Sequence, residues 1–228
     1  MLLCYITDRR LLGDDEATRQ KHLLARIESA AAAEIDFIQL REKDLSAREL
    51  ESLAGEAMAR LARFPKSRLL INSRLDIALA LGAHGVHLRA ADFQASDARY
   101  IAAKAGKQIV IGVSCHSAQE VALADSHGAD FALLGPIFEK RGETLAPIGL
   151  EELRQACTRP AAAASRMPVL ALGGVNLSNA HDCMKAGADG VAGIRLFQES
   201  AMDQAVKQLR RITHAEKASP RRHPYHPR

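Results

Sequence analysis

The residues able to do chemistry fall just behind short apolar runs. Phe37-Ile38 leads into Gln39-Leu-Arg-Glu-Lys43. In an extended segment, alternation sends Gln39, Arg41 and Lys43 to one face and Leu40 and Glu42 to the other. A planar guanidinium, a point-charge ammonium and an amide together suit a phosphate or diphosphate. The competing reading is a solvated strand end with an Arg–Glu pair, and the apolar residues ahead favour the anion site. Asn72-Ser73 follows Arg68-Leu-Leu-Ile71; an amide and a hydroxyl there serve a substrate or a helix cap equally well. Asp92 follows Val86-His87-Leu88. One carboxylate suffices for Mg²⁺ when substrate phosphates complete the shell, but taken alone Asp92 reads better as a helix cap.

Gly112-Val-Ser-Cys-His116 closes another apolar run. Ser114 and His116 stand at its end, and a histidine there exchanges protons near neutral pH. A Cys115–His116 dyad is the alternative. Neighbours on an extended segment point opposite ways, so Cys115 reads as packing. Gly135-Pro-Ile-Phe138 opens the longest connection, Glu139-Lys140-Arg141-Gly-Glu-Thr144, which suits a mobile lid. Gly173-Gly174 and Gly193-Ile194-Arg195 end the last two apolar runs. Glycines let backbone N–H groups approach an anion closely, and a phosphate site after strands 7 and 8 is common in eight-stranded α/β barrels. The pattern says phosphorylated ligand without naming it.

These positions need elements to hold them. Apolar or β-branched runs at 2–7, 36–41, 68–72, 84–88, 108–113, 130–135, 168–172 and 190–194 alternate with helical periodicity near 17–33, 46–62, 75–81, 94–104, 117–127, 149–157, 177–186 and 200–214. Runs as continuous as Ile109-Val-Ile-Gly-Val113 indicate strands buried on both faces, as in parallel sheets. Eight βα units predict a (β/α)₈ TIM barrel over 1–215. A doubly wound open sheet is the runner-up, but Thr7-Asp-Arg-Arg-Leu-Leu-Gly13 is not the glycine-rich turn it needs. Ser46…Glu49 and Ser117…Glu120 have capping-box spacing. Gly82-Ala-His-Gly85, Gly128-Ala-Asp130 and Gly187-Ala-Asp-Gly190 read as helix ends needing a left-handed residue, with no catalytic role.

The 228 residues carry a net charge of +4. Lys217, Arg221, Arg222 and Arg228 against Glu216 put +3 of it into the tail, 216–228, which reads as disordered and basic. The near-neutral body argues against a nucleic-acid surface. No apolar run reaches the ~18 residues of a membrane span. The N-terminus reads as a strand rather than a secretory signal. Cys4, Cys115, Cys157 and Cys183 are scattered without a C-x-x-C pair, which argues against disulfides or zinc and for a reducing cytoplasm. The oligomeric state is left open, a homo-oligomer included.

In order along the chain stand Tyr5-Ile-Thr-Asp8, Gln39-Leu-Arg-Glu-Lys43, Ile71-Asn72, Gly85-Val-His-Leu88, Gly112-Val-Ser-Cys-His116, Gly135-Pro-Ile-Phe138, Gly173-Gly-Val175 and Ala188-Asp-Gly-Val-Ala192. Over about 1–200 this set resembles the thiamine-phosphate synthase family, which includes the thiazole tautomerases. The resemblance implies a transferase that joins a hydroxymethylpyrimidine diphosphate to a thiazole phosphate and releases pyrophosphate. It implies Arg41, Lys43, Asn72 and Ser114 at the pyrophosphate, Asp92 as a Mg²⁺ ligand, and Gly173, Gly174, Gly193 and Ile194 around the thiazole phosphate.

Three departures stand out. Ser73 occupies the place of the family's second metal carboxylate. Lys140 or Arg141 has to stand in for a lysine of the family's closing loop. Arg195 replaces a small residue, to bind phosphate or to crowd it. These changes spare the thiazole half of the site, as in a tautomerase, which needs no metal and would use His116 as its acid/base. The retained Arg41, Lys43 and Asp92 place the synthase ahead, and a binder without catalysis is the third reading.

Overall fold

Eight short strands form in chain order: β1 (Leu2–Ile6), β2 (Phe37–Leu40), β3 (Arg68–Asn72), β4 (Gly85–Leu88), β5 (Val110–Cys115), β6 (Phe131–Leu134), β7 (Val169–Leu172) and β8 (Gly190–Gly193). The computed structural model describes residues 1–139, 146–158 and 167–216, the side chains of 213–216 excepted. Each strand pairs in parallel with the next, and β8 returns to β1 through Leu2↔Gly190 to Tyr5↔Gly193, closing the barrel. Lys140 and Arg141 of the expected lid, and all of the tail beyond Glu216, lie outside the described residues.

The helices are α1 (Glu16–Ala32), α2 (Ala47–Leu61), α3 (Leu75–Leu81), α4 (Ala95–Lys104), α5 (Ala118–Ser126), α6 (Gly149–Cys157), α7 (Ala180–Lys185), α8 (Arg195–Gln198) and α9 (Met202–Glu216). Ser46 caps α2 with the full reciprocal box: its Oγ accepts from the Glu49 amide, and the Glu49 carboxylate accepts from the Ser46 amide. The second predicted box is only half made. Ser117 accepts from the Glu120 amide, but the Glu120 carboxylate takes the His116 amide instead, at 2.7 Å. Helix α7 starts later than the periodicity suggests, because the Asn176 side chain binds the amides of Ser178 and Asn179 in a turn. Helix α8 was not anticipated.

Alternation along the strands separates two apolar layers. Cys4, Ile6, Phe37, Leu70, Val110, Phe131, Leu133, Leu170 and Ala192 fill the barrel interior, with Phe37 stacked on Phe131 at 4.5 Å. The opposite faces, Leu3 and Tyr5 of β1 or Ile38 and Leu40 of β2 for instance, pack under the helices. On the N-terminal rim, aspartates ahead of strands tie down their neighbours. Asp36 accepts from the Leu3 amide, Asp130 from Ile111 and Asp189 from Val169.

The Gly–Ala repeats have a double origin. Gly82 and Gly187 end helices with φ of +63° and +99°, as expected. Gly85 and Gly190 instead open strands where the neighbouring backbone leaves no room: a Cβ on Gly190 would stand 1.9 Å from the Leu2 carbonyl oxygen. Gly190→Ala should therefore force β1 and β8 apart and cost about 1–3 kcal/mol, read by chemical denaturation.

Candidate active site

Because all strands run the same way, their C-terminal ends share one rim. Arg41 and Lys43 leave β2 on the rim where Gly173, Gly174 and Gly193 leave β7 and β8. Just below, the inward positions divide into two arcs. Gln39, Asn72, His87 and Ser114, from the adjacent strands β2 to β5, are polar. Ile6, Leu133, Leu172 and Ala192, with Ile194 above, are apolar and continue the inner core. A ligand at this mouth meets hydrogen-bonding groups on one side and hydrocarbon on the other.

The polar arc is linked. Gln39 Nε2 donates to Asn72 Oδ1 at 2.8 Å, and Asn72 Nδ2 to the Ser73 hydroxyl at 3.2 Å. Neither Asn72 nor Ser73 caps α3, whose N-terminus at Arg74 has no side-chain cap. Ser73 sits at φ +58°, and its hydroxyl reaches the Asp92 carboxylate. Gln39 Oε1 is buried with no partner among the described residues, which costs about 1–3 kcal/mol until a donor arrives.

Sequence reasoning missed His87, although Gly85 and His87 share the parity that points into the barrel. Its Nε2 lies 2.9 Å from Ser114 Oγ. Its Nδ1 faces Gly112 and Phe131, where even a Cβ on Gly112 would come within 2.7 Å. An N–H there would lack an acceptor, so the ring proton belongs on Nε2, and the Ser114 hydroxyl keeps its own proton for an anion.

Burial, with Arg41 adding to it, pushes His87 down to about 3 from 6.5. The unfolded chain takes up this proton as pH falls through 6.5, whereas the folded chain does so only near 3. Stability should thus decline between those values and be unaffected above them. At pH 5 the loss is about 2 kcal/mol relative to pH 7. Denaturant titrations at pH 7 and pH 5 should show a loss about 2 kcal/mol larger in wild type than in His87→Gln; His84, which burial also holds below 6.5, contributes equally to both.

Among the described residues, Arg10, Arg41, Lys43 and Arg89 gather on this rim. Lys43 is held below its usual pKa by Arg41 first, then by partial burial, Arg89 and Arg10. Arg10 is forked onto Asp8 at 3.0 and 3.1 Å. An incoming anion relieves the repulsion between Arg41 and Lys43. Between them in sequence, Glu42 turns away and is buried on Thr7 and Arg9. The arginine paired with Glu42 is Arg9.

Asp92 neither caps α4, which starts after Gln94, nor stands open to a metal. One carboxylate oxygen accepts from Arg89 Nε and Nη2 at 3.0 and 2.7 Å, the other from the Arg89 amide at 2.8 Å. Burial would raise its pKa, but Arg89 and the Ser73 hydroxyl outweigh it and hold Asp92 below the usual range. Among the described residues, no group of three or more His, Cys, Asp or Glu side chains could hold a metal ion. A Mg²⁺ at Asp92 would have to displace Arg89 and accept a neutral oxygen from Ser73. As they stand, these residues do not fit the ion.

His116 Nδ1 lies 2.6 Å from the Gly135 carbonyl. A carbonyl only accepts, so Nδ1 carries the proton and Nε2 is the atom able to take one up. Cys115 is buried, and burial pushes its thiol up to about 12, which removes the Cys–His dyad. The Arg195 guanidinium is 3.6 Å from the carboxylate of Glu199, the residue that follows α8. The amides of Arg195 and Leu196 begin that helix and have no intrahelical acceptor.

Gly174, at φ +66°, has a second reason to be glycine. A Cβ would stand 2.6 Å from the Glu139 carbonyl oxygen and 2.7 Å from Phe138 Cβ. The segment after β6 lies on β7's end, held by Ile137 N–H to Leu172 O and Phe138 N–H to Gly173 O.

The family model described as thiamine monophosphate synthase matches residues 3–197. The thiamine-phosphate synthase of Moorella thermoacetica is 38% identical over 192 residues, covering 83% of this chain and 87% of that protein. That of Chloroflexus aurantiacus is 35% identical over 219 residues, covering 93% and 96%. The solved structure of thiamine phosphate pyrophosphorylase from Pyrococcus furiosus superposes with a TM-score of 0.75 at 29% identity, covering 94% of this chain and 96% of that one. A closed barrel whose rim carries cations over β2 and glycines over β7 and β8, matched from its first strand to α8, belongs to the thiamine monophosphate synthase family.

Proposed function

We propose that this enzyme is a transferase of thiamine biosynthesis that joins hydroxymethylpyrimidine diphosphate to thiazole phosphate and releases pyrophosphate. The observation that carries this reading is the Arg41–Lys43 pair at the head of the polar arc. As the bond to the diphosphate breaks, charge collects on the leaving oxygens. Arg41, Lys43, the Asn72 amide and the Ser114 hydroxyl are placed to meet it. The apolar arc of Ile6, Leu133 and Leu172 offers a dry wall to the thiazole ring, and the amides at Gly173, Gly174, Gly193 and Ile194 suit its phosphate.

The Mg²⁺ that the family relationship suggests is not assigned to Asp92, since Arg89 and Ser73 fill its place; the cations of the rim supply the countercharge instead. That same observation favours a second reading, proton transfer on a carboxythiazole phosphate with His116 Nε2 as acid/base. A cytoplasmic location goes with either reading: the four cysteines are buried and none is in a disulfide. Among the described residues, no helix is long and apolar enough to cross a membrane.

One assay separates the readings. With both substrates present, pyrophosphate should appear in step with thiamine phosphate. Aromatisation of the carboxythiazole phosphate tautomer without pyrophosphate would support the isomerase, and neither product would leave a binder.

A further inference from the structure

We propose that Thr7, Arg9 and Glu42 form a buried clasp that aims Arg41 and Lys43 at the diphosphate, and that Thr7 and Glu42 are positioning residues for the reaction. The inference rests on the proposed function and concerns how its anion site is held.

The three side chains are 0%, 3% and 5% exposed. Thr7 Oγ1 donates to Glu42 Oε1 at 2.5 Å and accepts from the Arg41 amide at 2.9 Å, while the Thr7 amide reaches Gln39 O at 3.0 Å. Glu42 Oε2 accepts from the Arg9 amide at 3.0 Å and from Arg9 Nη1 at 3.2 Å. Arg9 then grips Asp44 through Nη1 and Nη2 at 2.8 and 3.0 Å, and Glu16 through Nε at 2.6 Å.

The chain after β2 is thereby pinned at three points: the Arg41 amide, the Glu42 carboxylate and the Asp44 carboxylate. Arg41 and Glu42 still point opposite ways as the chain leaves β2, and Lys43 and Asp44 then turn, with the Leu45 amide on the Glu42 carbonyl. The clasp takes the Glu42 and Asp44 carboxylates, while Lys43 stays near enough to Arg41 to feel its charge most strongly.

Stability alone is a poor reason for this arrangement. Buried ion pairs cost desolvation that their attraction repays only partly, and apolar replacements are often neutral or better. A fixed aim is a better one: two cations that repel each other, on long flexible stems, would otherwise splay apart.

The test compares Thr7→Val, which keeps the shape but loses both hydrogen bonds, with Thr7→Ser, which keeps them. Inorganic pyrophosphate binding is followed by calorimetry, KM is measured for each substrate, and thermal melts report folding. Thr7→Val should weaken pyrophosphate and raise KM for the diphosphate substrate about 10–100-fold, by analogy with the loss seen when groups that orient metal ligands are removed. KM for thiazole phosphate should stay within about twofold, and Thr7→Ser should recover most of the loss. Glu42→Gln should resemble Thr7→Val.

Wild-type pyrophosphate affinity in Thr7→Val would overturn the clasp, as would equal rises in both KM values. If wild type itself takes up no pyrophosphate, the proposed function fails and the clasp with it. Should Glu42→Gln not fold, the Val/Ser pair at position 7 decides alone.

Discussion

Arg41→Ala is expected to lower kcat/KM for the diphosphate substrate about 10²–10³-fold, a loss of about 3–4 kcal/mol in the transition state. Three features make it the most costly single change on the rim. Its guanidinium presents a planar fork that a diphosphate can engage with two hydrogen bonds. Its amide is held by Thr7 Oγ1, so the side chain starts from a fixed point. It is also the main reason that Lys43 lies below its usual pKa. With Arg41 gone, Lys43 returns toward its ordinary value and remains charged, so the variant isolates the missing fork. Arg41→Lys keeps the charge but loses the fork, and should recover only about tenfold. Steady-state pyrophosphate release checks both variants, with KM for thiazole phosphate expected to be unchanged. A fall of less than threefold in Arg41→Ala would place the diphosphate elsewhere.

The barrel was legible because its strands are nearly unbroken apolar runs and its helices carry three-and-four spacing, with Gly82, Gly128 and Gly187 marking returns from helix to strand. The elements that were misplaced have local causes. β5 starts two residues later than its apolar run, at Val110, and extends through Ser114 and Cys115 because they pair with Leu133 and Leu134. Hydropathy does not register that pairing. Helix α8 is four residues long, too short to show a period.

For the site, parity proved the best guide. It set Gln39 and Arg41 on one face, position behind an apolar run singled out Asn72 and Ser114, and parity applied to Gly85-Val-His87 would have found His87 as well. Partnerships across loops could not be read from the sequence. Nothing near Asp92 announces that Arg89 will fold back onto it, and nothing in Thr7-Asp-Arg9 announces Glu42, 33 residues beyond Arg9. Gly174 looked like an anion glycine, yet its lack of a side chain is already required by the Glu139 carbonyl.

Replacing Ser73 by aspartate and Arg89 by alanine together should set a second carboxylate beside a freed Asp92. Mg²⁺ affinity, measured by calorimetry with inorganic pyrophosphate present, should rise at least about 100-fold over wild type. The backbone favours the first change: Ser73 sits at φ +58°, a left-handed conformation that Asp and Asn tolerate better than most residues. Ser73→Asp alone should gain only a few-fold, because the added carboxylate would face the Arg89 guanidinium that already occupies Asp92. Arg89→Ala alone frees Asp92 but leaves a neutral hydroxyl opposite. Each single change therefore removes one of two obstacles, and the pair should exceed the sum of the singles, the signature of coupled neighbours. Mg²⁺ normally sits on one or two carboxylates with phosphate oxygens completing its shell, and the double variant offers that set. Additive effects would mean that Arg89 does not guard Asp92. Tight wild-type uptake of Mg²⁺, lost in Asp92→Asn, would mean that the ion displaces Arg89 unaided and that the rim's cations are not its replacement.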